Sequence, residues 1–244
     1  KSCEVFNALT YRERAVEYAT KAVELDPRNR QYKTHLANAL FAYAGITRLS
    51  GNAADAFEHY LDAHKIQTHL LADDPENEYL KERLQNTEIE LFSTTVFYPE
   101  YEQKLVNAGL GEVLNLRDAV GLSPTLDLYL LVHSAATKDS ALSEKALNSI
   151  SHFYREEDNL TMRLAGTLSR LNNFLFSTEL TVSASPLKNQ YSKDCNSRFI
   201  HWAEKELAND YLASDAILKE VTNQGLRGAS LNFYSSKVIA RRPN

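Results

Sequence analysis

Glycine and proline are scarce in this chain of 244 residues: eight and six, 14 together. Sheet proteins place these residues at turns roughly every 8–12 positions, so the shortage favours long helices. Cysteine is scarcer still. Cys3 and Cys195 share no motif and lie far apart, which excludes a disulfide framework and fits a reducing, cytoplasmic compartment. No apolar run approaches ~18 residues, so no membrane insertion is expected. Clustered cations are missing too. The net charge is -5 with both signs interspersed, and the Arg241-Arg242 doublet is too short to make a nucleic-acid surface, because neutralising phosphates takes grouped Lys and Arg. The chain opens on Lys1 rather than Met and shows no signal peptide, as expected of a processed chain or of a piece of a longer one. What remains is ordinary for a globular protein: 43% hydrophobic and 24% charged, with ample material for a core.

One phrase is written twice. LDPRNRQYKTHL begins at Leu25 and DDPENEYLKERL at Asp73, so that Asp26, Pro27, Asn29, Leu36 and Asn38 stand 48 residues before Asp74, Pro75, Asn77, Leu84 and Asn86. Between the phrases the spacing predicts two helices. The first covers about residues 30–49, with Tyr32, Leu36, Leu40 and Tyr43 at steps of four and three. Ser50-Gly51-Asn52 ends it in a turn that tolerates left-handed backbone. The second covers about 53–72, with Ala56, Tyr60 and Ala63 on one face.

These residues resemble the tetratricopeptide repeat, whose signature has a small residue after Leu in the first helix, Ala-x3-aromatic in the second and Pro at its end. The matching residues are Leu36-Ala37, then Ala56-x3-Tyr60-x2-Ala63, then Pro75; Ala15, Ala19 and Ala22 closed by Pro27 form an earlier second helix. Lys33 stands in place of the family's Trp and Leu40 in place of its Tyr. The period of 48 exceeds the usual value of about 34 by two insertions of seven. Seven residues are almost two turns and rotate a helix face by only ~20°, so each helix lengthens while keeping its stripe on the same neighbour. The resemblance therefore implies an all-α, right-handed superhelical solenoid of antiparallel helix pairs, in a long-helix variant, with a concave side. Too little chain precedes Tyr11–Leu25 for a complete first hairpin.

Beyond Phe97 the repeat fades, which places residues 1–97 in tetratricopeptide-like repeats and 98–244 in divergent helical repeats or a helical cap, continuous with the first part. Ser123-Pro124 reads as an N-cap followed by proline at the first helical position, opening a helix to about Ala136. Asp139-Ser140 opens another through Leu142, Ala146, Ile150 and Phe153. Leu160, Leu164, Leu168, Leu171 and Leu175 form an apolar stripe, and Phe199, Ala203, Leu207, Tyr211, Leu218 and Val221 form a second that ends near Gly225. Thr181–Ser192 reads as a loop.

Nothing in the pattern makes a catalytic set. His59, His64 and His69 at steps of five point ~140° apart successively and cannot converge on a metal ion. Cys195 and His201, six apart, face away from each other if they share a helix. Asn107–Gly111 and Gly225–Gly228 are glycine turns without a Walker Lys-Ser/Thr, so neither reads as a phosphate cradle. Asp73-Asp74 and Glu156-Glu157 read as solvated groups at helix ends. No cofactor is implied.

The resemblance implies instead that the first helix of each pair lines the concave groove, with an Asn hydrogen-bonding the backbone of an extended peptide. Asn38 and Asn86 fall at that place, and an amide offers the donor and acceptor a peptide group needs. Arg83 adds charge to the same surface. Thr34 and Glu82 stand where the family's chaperone-binding branch has the Lys of its carboxylate clamp, so such a clamp is not expected. Tyr32, Tyr43 and Tyr79 are core by spacing, with one reaching the groove. The expected function is a non-catalytic scaffold or sensor part of a larger assembly, holding a protein or peptide partner through Asn38, Asn86, Arg83, Thr34 and Tyr79. A ligand-gated regulator that changes curvature on binding a small peptide signal, and an enzyme with its site in the C-terminal half, are the alternatives.

Overall fold

The computed structural model describes residues 5–153, 164–165, 167–168, 195–224 and 229–242. The chain is all-helical, with no strand among the described residues. It divides into two compact units. One comprises residues 4–113 with 224–229, and the other comprises 114–223 and 230–244 with the first three residues.

The first unit opens with four long helices: α1 (Val5–Leu25), α2 (Arg30–Leu49), α3 (Ala53–Asp73) and α4 (Glu78–Phe97). The second pair begins and ends 48 residues after the first, so the repeated phrase marks matching corners of two adjoining hairpins. Its residues explain the turn. Asn29 and Asn77 are the N-caps of α2 and α4, and their side-chain oxygens accept from the backbone N–H of Tyr32 and Leu80, both at 3.2 Å. The N–H of each cap donates to the carbonyl of Asp26 or Asp74, in both cases at 3.1 Å. Pro27 and Pro75 lie within these turns, where a missing N–H costs nothing. Each cap satisfies one of the orphan donors of its helix and is worth about 1 kcal/mol.

Between α2 and α3 the connection is of another kind. Gly51 takes a left-handed φ of 91°, its N–H reaches the carbonyl of Arg48, and that of Asn52 reaches Thr47, closing a Schellman turn. Asn52 then caps α3 by accepting from Asp55 N–H.

Consecutive helices pack in order, α1 on α2, α2 on α3 and α3 on α4. Alanines set the close approach: Ala37 and Ala44 on α2, and Ala56 and Ala63 on α3, are all at most 1% exposed. Tyr60, Phe57, Leu70, Ile89, Leu91 and Phe92 fill the space beside them. Tyr32 and Tyr79 do not join this core. Both lie in the first turn of their helix, where fewer neighbours reach, and stay 37% and 43% exposed. Tyr43 stacks on His59 with ring centroids 4.9 Å apart.

The unit runs past Phe97, where the repeat fades, because the short α5 (Tyr101–Asn107) completes its core. Tyr101 packs its ring 4.7 Å from that of Phe57, and Leu105 is fully buried. Gly109 then ends α5 in a second Schellman turn, with Leu110 N–H on the carbonyl of Leu105.

A 3-10 helix (Gly111–Asp118) carries the chain into the second unit, which holds α6 (Pro124–Thr137), α7 (Ser140–Phe153), α8 (Cys195–Leu207), α9 (Tyr211–Asn223) and α10 (Ala229–Ile239). Ser123 caps α6, accepting from Leu126 N–H, and Asp139 caps α7, accepting from Leu142 N–H. α6 packs on α7 around Leu126, Leu130, Ala146 and Ile150, all fully buried. Of the stripe from Leu160 to Leu175, Leu164 and Leu168 are helical and Leu168 is buried; Leu160, Leu171 and Leu175 lie outside the described residues, as do Thr181–Ser192. The apolar stripe from Phe199 to Val221 belongs to two helices rather than one. The step of four from Leu207 to Tyr211 hides a break, because Asn209 adopts φ 60° and Asp210 caps α9 by accepting from Ala213 N–H. α8 packs on α9, and Trp202, Ala203 and Tyr234 are fully buried, with Phe199 between the two aromatic rings.

Lys138 takes the same left-handed turn as Gly51 and Asn209, at φ 60°, with Asp139 N–H on the carbonyl of Ser134. A Cβ is strained in that region. Lys138 is exposed, so Lys138→Gly is expected to stabilise the protein by about 0.5–1 kcal/mol. Calorimetry should show the melting temperature rising by about 2–3 °C; a fall would show that the side chain has a role of its own.

Candidate binding groove

Along α4, Tyr79, Arg83, Asn86, Glu90 and Ser93 recur at steps of four and three, which puts them on one face. Along α2 the stripe Arg30, Thr34, Asn38, Phe41, Gly45 and Arg48 does the same. The two stripes meet through long side chains. At one end Asn38 Nδ2 donates to the Tyr79 hydroxyl at 2.9 Å. At the other, Arg48 pairs with Glu90 at 2.9 Å and donates to Ser93 Oγ at 3.0 Å, with both charged side chains only 15% exposed. Ser93 in turn donates to the carbonyl of Glu90.

Arg83 lies between these ends. Its guanidinium stacks over the Tyr79 ring, 5.1 Å from the centroid. Its Nε is shut off from solvent without a hydrogen-bond partner, and it pairs with no carboxylate, among the described residues. On the helix its neighbours three and four positions away are Tyr79, Leu80, Asn86 and Thr87, none of them charged. Asn86 stands half-buried one turn further on. Beside Tyr79 an open depression of about 260 Å³ is lined by Thr34 with Arg30, Gln31, Leu70, Asp74, Asn77 and Leu80. Arg30 is held there by the carbonyl of Leu70 at 3.1 Å and by Asp74 at 3.6 Å.

Four of the five expected groove residues are thus joined. Asn38, Tyr79 and Arg83 form one contact chain, and Thr34 lines the depression against Tyr79. Asn86 shares the face of Arg83 without a link to the others in this chain. The hydroxyl of Thr34 is turned to its own helix, donating to the carbonyl of Arg30. Sequence reasoning missed Arg30, Gln31 and Asp74 as lining, and it missed the Arg48–Glu90 pair. Arg48 and Glu90 have Val96 and Ala42 at the positions 48 residues away, so repetition carried no signal for them.

The three histidines of α3 have separate surroundings. His59 lies on Tyr43, His64 is buried 3.4 Å from Glu88, and His69 is exposed. Cys195 and His201 share α8, and the side chain of Cys195 lies outside the described residues. Burial, with Lys205 and Arg198 nearby, holds His201 below the ordinary histidine value and so favours its neutral ring. Gly109 terminates α5 and Gly111 opens the 3-10 helix, and Gly225–Gly228 and Glu156-Glu157 fall outside the described residues. Asp74 is engaged by Arg30 and by Asn77 Nδ2, and is not simply solvated. Against family models, curated proteins and solved structures alike, the chain finds no match.

Proposed function

We propose that this chain is a non-catalytic binding module which holds an extended protein segment along the face shared by α2 and α4. The observation that carries the reading is Arg83, a half-buried guanidinium aligned on Tyr79 and unmatched by any carboxylate among the described residues. A half-buried guanidinium with one N–H shut off from solvent and unpaired is only partly satisfied, and a ligand carboxylate gives its remaining N–H groups a charged acceptor. α2 contributes no acidic residue to this face, and its Arg30 and Arg48 are already matched by Asp74 and Glu90. The amides of Asn38 and Asn86 suit the peptide groups of a segment running across the helices. The segment is therefore one that carries an Asp or Glu side chain. The 48-residue offset of the two hairpins supports a long-helix, tetratricopeptide-like solenoid as the frame. Along α1, Tyr11, Tyr18 and Leu25 recur at steps of seven and stay 67–86% exposed, which supports a place in a larger assembly.

Peptides selected from a random library on the whole chain test this. Bound sequences should be enriched in Asp and Glu. Arg83→Gln should weaken them about 10- to 100-fold, the worth of a charge-assisted hydrogen bond of about 1.5–3 kcal/mol. Asn38→Ala with Asn86→Ala should weaken acidic and neutral sequences alike. Ligands that bind all variants equally would remove the groove from consideration.

A further inference from the structure

In the second unit, Glu206 on α8 is a buried carboxylate, its side chain 1% exposed. Such a group must be paired. Ser214 Oγ, itself fully buried, donates to its Oε1. Arg242, in the segment after α10, supplies the rest: its Nη2 donates to Oε1 and its Nε to Oε2 at 3.2 Å, a two-pronged grip on one carboxylate. The same Nη2 donates to Asp215 Oδ1 at 2.7 Å. The guanidinium carbon lies 4.9 Å from the centroid of the Tyr211 ring.

Among the described residues, the groups that hold Arg242 come from the α8–α9 hairpin, residues 206–215, and two of them are set without the occupant. Ser214 orients Glu206, and the Tyr211 hydroxyl donates to Asn209 Oδ1 at 2.7 Å in the turn between the helices. The turn itself is closed by Asp210 N–H on the carbonyl of Lys205 and by the Lys205–Asp210 ion pair. The occupant arrives from 27 residues beyond the nearest wall. Two carboxylates at the edge of a flat cation and a ring beneath it select the planar fork of arginine over the point charge of lysine.

We propose that the pocket of Glu206, Tyr211, Ser214 and Asp215 is a recognition site for an arginine side chain, which Arg242 fills from within the chain and for which an arginine of a partner segment competes. The side chain of the seated Arg242 stays 18% exposed, so the pocket is not sealed from solvent. Arg242 acts as a tethered competitor at an effective concentration on the order of millimolar.

Ethylguanidinium, which copies the end of arginine, and butylammonium, which copies that of lysine, separate this site from an ordinary ion pair. Arg242→Ala should melt well below the native protein, and ethylguanidinium at about 10 mM should recover at least half of that loss while butylammonium recovers little. The native protein should show no such shift. Acetyl-arginine amide should bind Arg242→Ala at least tenfold more tightly than the native chain, and Glu206→Gln in the Arg242→Ala background should abolish both effects. If Arg242→Ala does not fold, Arg242→Lys keeps a cation in place and should show the same selective recovery. Equal recovery by the two cations, recovery that survives Glu206→Gln, or equal binding to native and variant chains would overturn the proposal.

Discussion

Tyr60→Ala is expected to destabilise the first unit by about 3–5 kcal/mol, the range for removing a large aromatic side chain from a packed core. Tyr60 is 1% exposed, its ring lies edge-on to Phe41 at 5.6 Å, and its hydroxyl lies 3.6 Å from where a Cβ on Gly45 would stand. The cavity has little means of closing. Its flanks are Ala56 and Ala63 on the same helix, with Ala37 and Ala44 across the seam, and alanines have no side chain to swing inward. The position 48 residues earlier is Arg12, on the exposed part of α1, and Arg12→Ala should change stability by less than about 0.5 kcal/mol. Urea unfolding followed by far-ultraviolet circular dichroism measures both. The single tryptophan, Trp202, reports the second unit and is the wrong probe here. A loss below about 1 kcal/mol at Tyr60 contradicts the packing described for α2 on α3.

Arg48→Met is expected to cost about 2–4 kcal/mol. Breaking a buried ion pair strands its partner, and the upper range is trimmed because both side chains keep 15% of their surface. Glu90 would then lose the guanidinium across the seam and keep the Ser93 hydroxyl of its own helix. Replacing both ends, Arg48→Met with Glu90→Met, should recover most of the loss, since an apolar pair of similar volume carries no stranded charge. A double-mutant cycle by urea unfolding gives the coupling. Equal and additive losses from the two single substitutions would mean that the pair does not join α2 to α4. By the same reasoning the Asn38–Tyr79 bond, between partly exposed neutral groups, contributes about 1 kcal/mol or less, leaving that end of the face free to exchange its partner for a ligand.

Helix ends were readable because the forces that set them are local. Asn29, Asn52 and Asn77 cap the next turn of their own helix, Gly51 supplies a left-handed residue, and Ser123-Pro124 and Asp139 open α6 and α7 where expected. The break at Asn209-Asp210 was missed for a physical reason. An apolar step of four continues a helix or spans a tight turn equally well, and the choice rests on one residue taking a left-handed conformation that asparagine tolerates. Tyr32 reads as core by its spacing yet stays exposed, because spacing assigns a face to a helix but not the depth at which each turn sits. Where the first unit closes was not legible for a related reason: Tyr101 packs on Phe57, some forty residues earlier.

By itself the order of residues determined that this protein is helical, where its first four long helices turn, and that two hairpins share one outline. Those features depend on backbone geometry and on side chains within about four positions of each other. Tertiary structure alone decided that Arg83 stands without a carboxylate among the described residues, that Arg48 has Glu90, and that Arg242 fills a pocket built by residues 206–215. A charge is matched or left unmatched by groups distant along the chain, and their distances exist only once the helices have packed.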